Sequence, residues 1–202
     1  MRIRLDIAYD GSHFRGWARQ PALRTVQGTL EEAMQRILRA DVRLVVAGRT
    51  DTGVHATGQV AHVDIDDEVW AVATEPRRRH EASDPGDVFA RRIMGVLGRY
   101  SDVAVTRTSL APDGFDARFS AVWRRYEYRV CDAVGGYDPL ERHRTTSVPA
   151  ALEAEKMDAA ARTLIGLHDF AAYCKAREGA TTIRTLLEFG WRRADDGVLL
   201  AN

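Results

Sequence analysis

Asp51 stands in AGRTDTGVHA, residues 47–56, with Arg49 two positions before it and Gly48 and Gly53 on either side. A carboxylate and a guanidinium two apart on an extended segment project the same way and can pair. Such a partner keeps the carboxylate ionised, as a nucleophile or an electrostatic stabiliser requires. The flanking glycines permit backbone angles that other residues resist, so a loop here can push Arg49, Thr50 and Asp51 out from a sheet edge. Asp51, Thr52 and Gly53 also spell the tripeptide of aspartic proteases. That chemistry needs two carboxylates sharing a proton, which a neighbouring cation would spoil, and the tripeptide occurs once. A polar turn capped by Asp51 explains the same residues without any chemistry. His55 and His62 are seven residues apart with no third ligand beside them, so they read as polar contacts rather than metal ligands.

Elements able to hold this loop are readable on both sides of it. Ile3, Leu5 and Ile7 alternate with charged residues, which predicts a strand with one face in a core. A turn at Asp10 and Gly11 follows. Val26, Leu30, Ala33, Met34 and Ile37 recur at helical spacing behind Thr25 as N-cap, with Glu31 and Glu32 near the first turn. Val42, Leu44 and Val46 predict a strand running into Gly48, and 60–65 predict another leaving the loop. After an acidic run at 64–68 and a basic one at 77–80, a helix is expected to start after Asp84 and Pro85. It carries Phe89, Ile93, Val96 and Leu97, and Val103 and Val105 open a fourth strand. Strand, helix, strand, strand, helix, strand is a ferredoxin-like unit. The second half repeats it less completely: a long strand over 122–130, a helix through Met157 and Leu164 to Gly166, a strand over 183–191, a turn at 195–197 and a return strand at 198–201. The expected architecture is α+β, with halves at 1–108 and 109–202 and the second short of its last helix.

Composition narrows the class. With 45% hydrophobic and 29% charged residues the chain is an ordinary globular protein. No apolar run reaches the length of a membrane span, and the first residues lack a secretory pattern, so the expectation is cytoplasmic. Cys131 and Cys174 stand in no metal or disulfide framework. The formal net charge is zero, but of 29 basic residues only Lys156 and Lys175 are lysine. The arginines gather at 77–79, at Arg91 and Arg92, at Arg124, Arg125 and Arg129, and at Arg142 and Arg144. Their planar forks suit phosphate and bases, although solvated faces explain most such knots.

Five blocks carry a resemblance: YDGSHFRGWARQ (9–20), RTVQGTLEEAM (24–34), AGRTDTGVHATGQVAHV (47–63), FDARFSAVWRRYEYRV (115–130) and GLHDFAAYC (166–174). In this order they resemble the tRNA pseudouridine synthase A family, over nearly the whole chain. The resemblance implies an isomerase that turns uridine into pseudouridine at positions 38–40 of the tRNA anticodon stem-loop, without cofactor, as a homodimer. It implies two ferredoxin-like halves around one extended antiparallel sheet with helices on one face. Asp51 falls on the family's catalytic nucleophile, Arg49 on its ion-pair partner, and Tyr126 on the residue that packs against the target base. Read without the family, Tyr126 is a half-buried strand aromatic beside Trp123 and Tyr128. His13, Arg15 and Arg19 sit where a loop can grip phosphates, and His55 joins Arg15 and Arg19 as a candidate RNA contact. His168 and Asp169 read as a turn after a helix, with Phe170 packing. Thr52 replaces the family's usual alanine, and the family continues past a pair like Ala201 and Asn202 into a helix with a His-His-Met-Val-Arg sequence. A catalytically silent RNA-binding protein of the same fold is the alternative, with the acid protease behind it.

Overall fold

The computed structural model describes residues 1–76, 84–98, 101–174 and 181–202. The basic run expected at 77–80 lies outside these. Backbone contacts divide the chain into two units, Met1–Val122 and Trp123–Asn202. Residues 111–122 go with the first, since Arg2 donates to the Phe115 carbonyl (2.7 Å) and Ala117 N–H donates to His62 Nδ1 (3.0 Å).

The first unit runs β1 (Arg2–Tyr9), a 3-10 turn (Gly11–His13), α1 (Val26–Leu38), β2 (Val45–Val46), β3 (Ala56–Asp64), α2 (Asp67–Thr74), α3 (Pro85–Leu97) and β4 (Val103–Leu110). Its sheet has the order β2-β3-β1-β4, with β1 antiparallel to both neighbours. That is the ferredoxin-like arrangement expected from the sequence. Ile3, Leu5 and Ile7 are 0% exposed on the core face, each worth about 1.5–3 kcal/mol of apolar burial. Leu30, Met34, Phe89 and Ile93 cover them from α1 and α3. Thr25 caps α1 by accepting from Gly28 N–H, and Asp84 caps α3 ahead of Pro85. The acidic run at 64–68 hides α2. Asp66 caps it, Asp67 and Glu68 favour its positive N-terminal end, and Trp70 meets Phe89 edge-on at 5.1 Å.

The second unit has β5 (Tyr128–Cys131), β6 (Thr146–Ser147), α4 (Ala154–Arg162), β7 (Gly166–Asp169), a 3-10 turn (Ala171–Tyr173), β8 (Ile183–Leu186), β9 (Trp191–Arg193) and β10 (Leu199–Ala201). Three expectations are corrected. The strand over 122–130 pairs only from Tyr128, because β10 and β6 together offer partners to Tyr128–Cys131 alone. The strand over 183–191 is two strands: β8 pairs with β7, while β9 pairs with β10 in a different sheet. Helix α4 ends at Arg162, and Gly166, at φ +112°, opens β7 instead of closing the helix. The turn at 195–197 joins β9 to β10 as expected, with Gly197 at φ +82°. Among the described residues no helix is long and apolar enough to cross a membrane.

Candidate active site

The loop carrying Asp51 leaves β2 and enters β3. Beyond β2 the pairing continues for one step, Ala47 N–H donating to the Val60 carbonyl at 2.9 Å. Gln59 Nε2 then donates to the Gly48 carbonyl at 2.8 Å. Val54 N–H donates to the Asp51 carbonyl at 3.2 Å, closing a turn through Gly53 at φ +79°.

The segment after β1 forms a wall behind this loop. Trp17 N–H donates to the Thr50 carbonyl at 2.9 Å. Gly16, at φ +82°, comes so close that a Cβ would stand 2.9 Å from the Thr50 carbonyl oxygen, and a Cβ at Gly11 would collide with the Val54 carbonyl. Both positions therefore need glycine, one for its backbone angle and one for space. Asp10 holds the 3-10 turn by accepting from Ser12 N–H at 2.9 Å. Gly11 N–H donates to His55 Nδ1 at 3.2 Å, so in the neutral ring that nitrogen is the acceptor; once protonated it would face Asp10 Oδ1, 3.1 Å away.

Thr50 turns inward, its Oγ1 2.8 Å from the Tyr9 hydroxyl, while its neighbours Arg49 and Asp51 are exposed. An outward carboxylate and an outward guanidinium thus flank an anchored threonine. Among the described residues no salt bridge joins Arg49 to Asp51. Arg15 is exposed, and its carbonyl accepts from Gln20 Nε2 at 3.1 Å. Arg19 is engaged with Glu31 at 3.2 Å and Glu32 at 3.7 Å. Tyr126 belongs to the second unit, on the irregular segment before β5, with 68% of its surface exposed. His168 and Asp169 do not pair: His168 Nε2 is 3.1 Å from the Ile165 carbonyl, and Asp169 accepts from Ala171 N–H and lies 2.5 Å from the Thr182 hydroxyl. Cys131 and Cys174 are both free thiols.

His62 belongs to the scaffold. It is buried, accepts from Ala117 N–H, and has its pKa pushed down by burial first and by Arg2 second, with Asp116 and Asp64 opposing. Sequence reasoning passed over Tyr9, Gln59, Gly11 and Gly16 as parts of the site. The signal available for three of them was their place in the block YDGSHFRGW, but nothing local ties residues 9–16 to residue 50.

Residues 7–85, which include the whole Asp51 loop and its wall, match the tRNA pseudouridine synthase family profile. Across 98% of its length the chain is 60% identical to the tRNA pseudouridine synthase A of Leifsonia xyli subsp. xyli, covering 70% of that protein. It is 51% identical to the tRNA pseudouridine synthase A proteins of Streptomyces avermitilis and Frankia casuarinae, over its entire length and 67% and 68% of theirs. Identity of this degree over two thirds or more of each relative shows the family: the chain belongs to the tRNA pseudouridine synthase A family.

Proposed function

We propose that the chain isomerises uridine to pseudouridine in tRNA, at positions 38–40 of the anticodon stem-loop, with Asp51 as the nucleophile. The observation that carries this reading is an exposed Asp51 on a braced loop within a chain 60% identical to a relative named for this activity. In the reaction the bond from C1′ to N1 breaks, the uracil turns, and a bond from C1′ to C5 forms. The C5 proton leaves and N1 gains one, so substrate and product are isomers. A carboxylate can attack C1′ as a nucleophile or take a 2′ proton as a base. The base must first leave its stack, which costs a few kcal/mol, and stacking on Tyr126 would return about 1–3 kcal/mol. Arg49 is the proposed cationic partner of Asp51, forming the pair when substrate is bound. Arg15, Arg19 and His55 are proposed RNA contacts, with Arg15 the readiest because Arg19 is held by two glutamates. The working form is proposed to be a cytoplasmic homodimer. Family membership does not favour the silent binder or the acid protease.

The test is tritium release from tRNA labelled at uridine C5, by this chain and by Asp51→Ala. Release by the first and none by the second is expected. Equal background from both, with tRNA still bound, would support the silent binder instead.

A further inference from the structure

We propose that Tyr9 and Gln59 are positioning residues for Asp51, acting through Thr50 and Gly48. This rests on Asp51 being the nucleophile. Among the described residues no hydrogen bond or salt bridge holds the Asp51 carboxylate, so its place is set by the backbone of residues 48–51. Two rigid strands take hold of that backbone from below. Tyr9 is the last residue of β1, 5% exposed, with its ring against Trp17 at 6.0 Å. Its hydroxyl is 2.8 Å from Thr50 Oγ1. Gln59, in β3, donates from Nε2 to the Gly48 carbonyl at 2.8 Å and to the Tyr9 hydroxyl at 3.3 Å. Its amide oxygen accepts from Val60 N–H at 3.1 Å, which fixes the orientation of the amide. Gln59 donates to the phenol oxygen, and the phenol and the Thr50 hydroxyl share a hydrogen bond that either can donate, so the relay links β3 through β1 to the loop. It grips the residue before Asp51 and a residue three before it.

A reacting atom must be held within about 0.5 Å of its productive place, and a misplacement of about 1 Å can cost on the order of 100-fold in rate. Tyr9→Phe removes the hydroxyl and keeps the ring. Thr50→Val removes the other end, while Thr50→Ser keeps it. Conversion of uridine in tRNA is measured together with amide hydrogen exchange over residues 48–54. Tyr9→Phe and Thr50→Val are each expected to lower kcat about 10- to 100-fold, with KM within about twofold. The double variant should be no slower than either single one, because both break the same link. Thr50→Ser should recover most of the loss. Exchange in the loop should rise about tenfold while the amides of β1 and β3 keep theirs.

Unchanged kcat in Tyr9→Phe, multiplied losses in the double variant, or unchanged exchange in the loop would each overturn the proposal. An inert Asp51→Ala beside a fully active Tyr9→Phe defeats the positioning role alone. An active Asp51→Ala defeats the reading of Asp51 and this proposal with it.

Discussion

The two units solve the same problem with different materials. In the first, apolar side chains from β1, β3, β4 and three helices form one core running from Ile3 to Val105. In the second, the clustered core among the described residues is small, Cys131, Val198 and Leu200 with Ala194 against it, while Val130 and Leu199 are buried outside that cluster. Polar ties supplement it there. Asp132, with no exposed side-chain surface, takes two hydrogen bonds from Arg193, each 2.9 Å, and others from the N–H groups of Val134, Gly135 and Leu152. The Arg193 hydrogen bonds, with the Leu152 and Gly135 N–H donors, hold its carboxyl far below the ordinary range. Arg129 lies 3.3 Å from Asp196 and 3.8 Å from Glu141, and Asp158 accepts from Trp191 N–H at 3.0 Å. A close-packed apolar core positions atoms through many small contacts, whereas a unit built on few apolar contacts depends on a few directional ones. The Asp51 loop is carried by the first kind.

Core truncation should show the contrast most strongly. Phe89→Ala in the first unit is expected to cost about 3–5 kcal/mol, and Leu200→Ala in the second about 2 kcal/mol, the low end for such changes. Hydrogen exchange of β1 and β3 for one, and of β5 and β10 for the other, reads the two losses. Equal losses would erase the distinction. The polar side of the comparison is tested by Arg193→Met, which leaves Asp132 buried without its cation. Protection of β5 and β10 should fall clearly, and a variant as protected as the parent would show that Asp132 is held by its backbone donors alone.

Acid should separate the units by pH. His62 has a folded pKa below its ordinary 6.5, so the first unit's contribution from it is complete above pH 6.5 and declines as pH falls below that. Asp132 has a folded pKa below its ordinary 3.8, so its contribution is complete above pH 3.8 and is lost only as pH drops from there toward the folded value. Exchange measured between pH 7 and 4 should loosen the 115–117 contact with His62 while sparing β5 and β10. His62→Gln, which cannot charge, should flatten the first effect. The smallest expected differences concern helix caps. Thr25→Ala should cost about 1 kcal/mol. Glu153 heads α4 without a side-chain cap, so Glu153→Ser should add about 0.5 kcal/mol to the second unit. Thermal unfolding checks both signs.

The site was half legible from sequence. Asp51, Arg49 and the glycines around them could be picked out because their types and spacing fit one chemistry within a few residues. Their pairing on an extended segment was also expected, yet the fold anchors Thr50 inward and leaves both charged neighbours in solvent. Tyr126 was expected within a strand and lies before one, since a strand lasts only as long as it has partners.

What the sequence by itself determined are the features written between near neighbours. The alternation that makes β1, the Thr25 and Asp84 caps and the Asp195–Gly197 turn all depend on contacts over a few residues. Tertiary structure alone decided that Tyr9 meets Thr50 across 41 residues of sequence, that His62 accepts from Ala117 across 55, and that 183–191 serves two sheets. The physical reason is common to all three. A hydrogen bond between distant residues requires two surfaces already brought together by burial of the apolar face, and no local pattern of residues records which polar groups that burial leaves side by side.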